Sequence, residues 1–576
     1  MKAQETILLN LIKNVSPGFT IPIYQRFYSW KQAECLELWE DILRAGLDEK
    51  NNTHFLGSIV YVQDGIYSAT AKSHLVIIDG QQRLTTIILL LIALSELLDE
   101  KQEIIEDFSK NKLKDWYLIN HLEKDDKKYR LILSETDKDT LIALIEKREL
   151  PKEYSIRINE NYIFFKNKLE QHKHQLEIIC KGIEKLSVVD ISLDRDHDNP
   201  QLIFESMNST GKDLTQTDLI RNYILMGVDH KTQLTLYQSY WRPMELDFGQ
   251  EGYQDYFDAF MRYYLAIKTK EFPKINHIYE AFKKYHKEKR SNIESLIADI
   301  RVYSQYFCKI ALDQEENKKL SCAFKDFKEL QVDVAYPLLL QLYDDYRKKC
   351  LPIEDFEKAV RLIESYIIRR SICGIPTNGL NKVFLNFANS IEKDKYSIEK
   401  DKYLESFQAK LILAPHQQRF PKDEEFQKEF ISRNFYDFRN SKYCLERLEN
   451  FGRKEKINVN NYTIEHIMPQ NEKLSQEWQN DLGANWKDIQ KNWLHTLGNL
   501  TLTGYNQEYG DKPFKEKRDL EGGFAKSPLK LNEYLRDINI WNEEAIINRA
   551  NILSNQAIKI WIYPKLEESV LEKYKK

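Results

Sequence analysis

Residues Leu75 to Leu98 read LVIIDGQQRLTTIILLLIALSELL: a β-branched apolar run, a polar five-residue turn, then an apolar run of helical length. No other stretch limits the fold so tightly. Leu75 to Ile78 is continuous and apolar, as a buried strand is, and Gly80 permits a sharp reversal into a helix starting near Gln81. Such a helix aims its unpaired N–H groups and positive dipole end at Asp79-Gly80-Gln81-Gln82-Arg83, where the Arg83 guanidinium adds a charged fork. The turn is expected to hold an oxyanion such as phosphate. A buried strand-turn-helix with a surface arginine is the other reading of the same residues.

This unit lies in a chain of 576 residues, too long for a single core. Three domains are expected, 1–228, 229–410 and 411–576. Hydrophobic content of 42%, charged content of 30% and only 19 Gly and 15 Pro describe a folded, helix-rich chain without low-complexity linkers. The longest apolar run, Ile87 to Leu94, is far shorter than the roughly 20 residues a bilayer span needs, and the opening MKAQETILLNLIKN has no signal-peptide pattern. No membrane association and a cytoplasmic location are expected. The seven cysteines stand singly, with no CxxC pair, and are expected to be buried small hydrophobes in a reducing compartment. A net charge of -4 argues against coating of nucleic acid by the whole molecule and leaves local basic surfaces open.

Along the chain, Glu5 to Lys13 is expected as an amphipathic helix and Phe19 to Ile23 as β-rich. Tyr24-Gln25-Arg26 follows, at a strand end where polar groups gather around ligands, and Ser29 with Gln32 fits a capping box for the next helix. Strands are expected at Phe55 to Val62, before a turn at Asp64-Gly65, and at Ser187 to Leu193. Thr210-Gly211-Lys212 is not a P-loop, because Ser206 stands where that loop needs Gly and Asp213 where it needs Ser or Thr. Asn208 and Gly211 suit a turn, and Thr215 with Asp218 forms a capping box. From about 229 to 409 the pattern is helical, and Arg369-Arg370 reads as a solvated helix end.

The C-terminal part carries the sharpest chemistry. Tyr462 to Gln470 reads as a strand ending in Glu465-His466, and His495 to Asn506 as a second strand turning at Gly504 into a helix. Strand, strand, helix with His466, Asn499 and Asn506 at those places is the layout of a ββα-metal nuclease. A neutral imidazole at His466 can take a proton from water, its unperturbed pKa being about 6.5. Glu465 and Asn506 offer hard oxygen ligands suited to Mg²⁺ or Mn²⁺. Asn499 can pin the loop, Lys515 or Lys517 can contact phosphate, and His495 reads equally well as a packed or capping histidine.

These residues resemble the GmrSD-type family of modification-dependent restriction enzymes, in which a DGQQR domain is fused to an HNH-type nuclease domain. At the N-terminal end the resemblance rests on Tyr24-Gln25-Arg26 with Trp30, Phe55-Leu56-Gly57, Asp79 to Arg83, and Phe204-Glu205 with Asn208, Thr210-Gly211, Leu214 and Asp218. At the C-terminal end it rests on Glu465-His466-Ile467 with Pro469, Gly498-Asn499-Leu500, Asn506 and Lys517.

The resemblance implies an α+β multidomain protein: an N-terminal α/β domain similar to the ParB/sulfiredoxin fold, a helical middle region and a C-terminal ββα-metal (HNH) domain. It implies binding and hydrolysis of a nucleoside triphosphate (GTP, ATP or another) around Tyr24, Gln25, Arg26, Asp79, Gly80, Gln81, Gln82 and Arg83. It also implies cleavage of DNA, modified phage DNA in particular, with His466 as general base, Asn499 as the structural asparagine, Asn506 as a metal ligand and Lys517 in the catalytic set. Glu465 departs from the Asp or His that many HNH sites carry, so its metal role is the weaker one. The same motifs suit an abortive-infection nuclease acting on host nucleic acid, or a nucleotide-switched DNA-binding adaptor with an inactive HNH domain. A homodimer is compatible with the sequence and not required by it.

Overall fold

The first residues of the chain depart from the helix expected at Glu5. Lys2–Ile7 is a strand, β1, and helix α1 occupies only Leu8–Asn14. Strand β1 pairs antiparallel with a segment far along the chain, Lys2 opposite Ser192 and Ile7 opposite Ser187, a partner that local apolar spacing cannot reveal. The structure, a computed structural model, describes residues 1–63, 74–100, 102–193, 203, 214–394 and 402–575. The expected turn at Asp64-Gly65 and the block from Phe204 to Asp213 lie outside the described residues. The chain forms two compact units, Met1–Pro243 with Phe282–Ile297, and Met244–Ala281 with Ala298–Lys576.

In the first unit, β1 joins β2 (Phe19–Thr20), β3 (His54–Gln63), β4 (Leu75–Asp79), β5 (Leu131–Ile132) and β6 (Leu186–Leu193) in one mixed sheet of order β1-β6-β3-β4-β2-β5. Strand β3 runs parallel to β6 and antiparallel to β4, while β2 is parallel to both β4 and β5. Helix α2 spans Gln32–Leu47. It starts two residues later than the Ser29 cap predicts: Lys31 donates its backbone N–H to the Glu34 carboxylate at 2.7 Å, and the Ser29 N–H goes instead to Gln82. Helix α3 (Gln81–Leu97) is buried at every position from Gln81 to Ser95 except Arg83. A helix apolar all round must be covered all round. The core of the unit is accordingly built around it, with the helix Ile156–Gln171 among its neighbours. The Thr215 capping box forms as expected, with Thr215 Oγ1 accepting from the Asp218 N–H at 3.1 Å and Asp218 accepting from the Thr215 N–H at 3.2 Å.

The second unit is helical through Tyr403–Ile412 and beyond. Arg369 and Arg370 are not a solvated helix end. Both are buried in the helix Ile353–Ile372, where Arg369 pairs with Asp423 at 2.6 Å and Arg370 donates to the carbonyls of Gln417, Arg419 and Pro376. A buried guanidinium requires such partners, and here it ties loops to the helix. Near the end of the chain β7 (Thr463–His466) and β8 (Leu500–Thr503) form an antiparallel pair with His466 opposite Leu500. Both strands are shorter than the sequence suggests, since the residues after His466 and before Leu500 turn to contact each other. The short helix Asn506–Tyr509 follows β8. Of the cysteines, Cys35, Cys180, Cys308 and Cys444 are buried as expected, whereas Cys322 is exposed and Cys350 and Cys373 are partly so. Among the described residues no helix is long and apolar enough to cross a membrane.

Candidate functional site

Two places gather the residues singled out by the sequence, one in each unit. In the first, Gly80 caps α3 with φ of 95°, a left-handed conformation that glycine adopts without a Cβ clash. Gly80 offers no side-chain cap to this helix end, whose first-turn N–H groups have no acceptor within the helix itself. Arg83 donates to Asp79 Oδ2 at 3.2 Å across one helical turn and lies against Gly57, where a Cβ would stand 2.8 Å from its Nη1.

The glutamines of this region brace the backbone. Gln25 donates to the Ile78 carbonyl at 2.7 Å and Gln81 to the Arg26 carbonyl at 3.2 Å. Gln82 donates to the Phe27 carbonyl and accepts from the N–H groups of Ser29 and Trp30. All three are buried, and they fasten the 25–30 loop onto the β4–α3 turn. Beneath them Tyr28, itself buried, bonds Thr86 at 2.7 Å and accepts from Asn161 at 3.0 Å. Tyr24 is buried on the same segment. Arg26 faces Asp218 at 3.8 Å. The Nε atoms of Arg26 and Arg83 are buried and make no hydrogen bond among the described residues. Each guanidinium thus faces a carboxylate, Arg83 that of Asp79 and Arg26 that of Asp218, and keeps an Nε donor without a partner among the described residues.

In the second unit the strand pair sets the geometry. Alternation along β7 sends Glu465 and His466 to opposite faces. Glu465 turns inward, where its carboxylate accepts from Lys517 Nζ at 2.7 Å. Lys517 is wholly buried and also donates to the carbonyls of His466 and Ile467 at 3.0 and 3.2 Å. Its three ammonium donors thus all have protein partners, and it holds the end of β7 rather than reaching a phosphate. Burial raises Glu465 and lowers Lys517, and their mutual contact opposes both shifts. Lys515, by contrast, is exposed.

His466 faces the other way. Its Nε2 lies 3.0 Å from Nδ1 of His495 and its Nδ1 3.0 Å from Nε2 of Gln470. Burial, and next the nearby His495 and Lys517, hold its pKa down to about 4, so the ring is neutral at ordinary pH. Asn499 is fully buried and does what a structural asparagine should: Oδ1 accepts from the Met468 N–H at 2.7 Å and from Trp541 Nε1 at 3.1 Å, while Nδ2 donates to the carbonyls of Met468 and Leu494. Arg549, also buried, donates to the carbonyls of Leu497, Gly498, Leu500 and Leu531. Asn506 is fastened to β7 through Nδ2, which donates to Thr463 Oγ1 at 2.7 Å and to the Ile464 carbonyl at 3.1 Å, leaving Oδ1 without a hydrogen bond among the described residues.

Among those residues no three His, Cys, Asp or Glu side chains gather as a cage for a metal ion. The side-chain oxygen left open is Asn506 Oδ1, since Glu465 is held by Lys517 on the face of β7 opposite His466. A single amide oxygen suits a hard cation of the Mg²⁺ type, which draws most of its ligands from water and phosphate, and not a zinc cage.

His495 is a weaker candidate in the sequence, as readily a packed or capping histidine, and Gln470, Tyr436, Trp541 and Arg549 are not among the expected site residues. Gln470 and His495 flank recognisable motif residues and were within reach of the sequence; Tyr436, Trp541 and Arg549 approach from distant segments and carry no local signal.

Residues 8–225 match the family described as GmrSD restriction endonuclease, N-terminal domain, and residues 420–556 match GmrSD restriction endonucleases, C-terminal domain. The two matches take in the Asp79–Arg83 turn and the β7–β8 pair respectively. No curated protein matches the chain. With both domains present in this order, the chain belongs to the GmrSD restriction endonuclease family, whose substrate is DNA.

Proposed function

We propose that this restriction endonuclease cuts DNA with a divalent-metal HNH-type centre on β7 and β8, and that a nucleoside triphosphate bound at the Asp79–Arg83 turn governs cutting. The observation that carries the reading is the neutral, buried His466 at the end of an antiparallel pair, with Asn499 pinning the loop beneath it and Asn506 opening the helix that follows. His466 accepts the proton of the attacking water. Asn499 keeps the backbone after His466 in place, Lys517 fixes the preceding strand end through Glu465, and Asn506 Oδ1 is the side-chain oxygen that would hold a cation. A Mg²⁺ or Mn²⁺ held there would supply charge neutralisation at the phosphate and the departing oxygen.

The uncapped end of α3, Arg83 with its spare Nε and Arg26 support a triphosphate site, because each offers directed donors or positive charge to phosphate oxygens. Within this reading, modified phage DNA is the target and triphosphate turnover couples recognition to cutting. The test uses the full chain with unmodified and base-modified phage DNA, Mg²⁺ or Mn²⁺, and each triphosphate in turn. His466→Ala is expected to abolish cleavage and spare triphosphate hydrolysis. Equal nicking by variant and parent sinks the HNH assignment, and hydrolysis unchanged in Arg83→Ala sinks the phosphate site.

A further inference from the structure

His466 is gripped from two sides, and the side formed by His495 is built with care. The two imidazoles meet edge to face, centroids 5.1 Å apart and planes at 79°. Tyr436 stacks on His495 at 5.5 Å and 20° and leans against His466 at 4.5 Å. The His495 carbonyl accepts from the N–H groups of both Phe435 and Tyr436, at 2.7 and 3.2 Å. The segment before β7 and the turn before β8 are therefore tied through His495, and its ring has a defined place.

Proton counting then fixes the direction of the pair. With the Gln470 amide nitrogen facing His466 Nδ1, that ring nitrogen must present a lone pair, because an amide nitrogen only donates. His466 then carries its proton on Nε2, aimed at His495 Nδ1, and His495 carries its own on Nε2.

We propose that His495 is a positioning residue for the catalytic base: it accepts the Nε2 proton of His466, fixes the tautomer that leaves Nδ1 basic, and steadies the imidazolium formed during cleavage. The inference rests on the HNH reading of His466. In the step, water passes a proton to His466 Nδ1, which exchanges its Gln470 contact for that proton. The hydroxide oxygen bonds to phosphorus as the bond from phosphorus to the departing sugar oxygen breaks. The Nε2 proton stays shared with His495 Nδ1, and the positive charge on His466 is met by a neutral acceptor. The role is that of the orienting member of a catalytic triad, filled here by an uncharged ring.

The test compares steady-state plasmid cleavage by the full chain and its variants His495→Asn, His495→Gln, His495→Leu and His466→Ala, with circular dichroism melting curves to match folding. An asparagine Oδ1 falls where Nδ1 of His495 lies, whereas glutamine reaches toward the place of Nε2. His495→Leu is expected to lower kcat about 10- to 100-fold with KM for plasmid unchanged. His495→Asn should recover most of that loss and His495→Gln little of it. Asparagine, glutamine and leucine all remove the ring that stacks on Tyr436, so differences among them read the hydrogen bond and not the packing. If His495→Leu fails to fold, the contrast between Asn and Gln decides. Cleavage by His495→Leu within about two-fold of the parent, or equal loss in Asn, Gln and Leu, overturns the proposal while leaving His466 as the base. Undiminished cleavage by His466→Ala overturns both readings.

Discussion

Lys517 Nζ meets Glu465 Oε1 at 2.7 Å in the interior of the second unit, where neither side chain reaches solvent appreciably. Breaking a buried pair from one side strands the remaining group without its partner. Glu465→Gln and Lys517→Met are each expected to lower unfolding stability by about 3–5 kcal/mol. The double variant should be less destabilised than the sum of the two, and chemical denaturation with tryptophan fluorescence reads the difference. Additive losses would show that the two side chains do not interact as described.

With His466 as the proposed base, the pH dependence of cutting follows from its surroundings. Burial, His495 and Lys517 hold its pKa from 6.5 down to about 4. The base is unprotonated throughout the neutral range, so initial cleavage rates should stay level as the pH falls from about 8 to about 5.5 and drop only toward 4. The same shift affects stability. Below about 6.5 the unfolded chain binds a proton that the folded chain does not, so stability falls as the pH falls through the window from 6.5 to about 4. A cleavage midpoint near 6.5 would contradict this environment for the ring.

Gly57 has φ of 125°, and a Cβ there would press within 2.8 Å of Arg83 Nη1. Gly57→Ala should therefore displace the guanidinium without touching it chemically. Triphosphate turnover is expected to fall as in Arg83→Ala, each losing a charge-assisted contact of about 1.5 to 3 kcal/mol. Isothermal titration with a non-hydrolysable triphosphate checks it, and parental affinity in Gly57→Ala would be the contrary result.

Gln82 supplies one donor and one acceptor to the backbone of residues 27–30. Gln82→Ala leaves those groups unpaired, and a loss of about 1–3 kcal/mol in the first unit is expected. Gln82→Glu keeps the acceptor but sets a buried carboxylate against the Phe27 carbonyl, and should lose at least as much. Hydrogen exchange at Ser29 and Trp30 would report the freed N–H groups directly.

What could be read from sequence was what short-range chemistry determines. The Leu75–Leu97 strand, turn and helix and the Thr215 capping box follow from residue types within a few positions, and each is found in place. Strand β1 was hidden because its partner is β6. The burial of Arg369 and Arg370 was hidden because their acceptors are carbonyls on other loops, and a carbonyl has no letter in the sequence. Lys517 was the instructive case. Its position matched a motif, yet its spacing could not distinguish an ammonium facing DNA from one facing Glu465.

The anchoring of the 497–500 segment by Trp541 and Arg549 also bears on when the enzyme becomes dangerous during its own synthesis. β7, β8 and the Asn506 helix are all translated earlier, but the carbonyls beside Asn499 gain their guanidinium only when the helix Glu543–Ile560 has emerged and docked. A nascent chain stopped short of Arg549 carries His466, Asn499 and Asn506 and lacks the clamp on the 497–500 segment. Products that end before the helix Glu543–Ile560 are thus expected to be poor nucleases, which plasmid cleavage by chains cut before and after that helix would read.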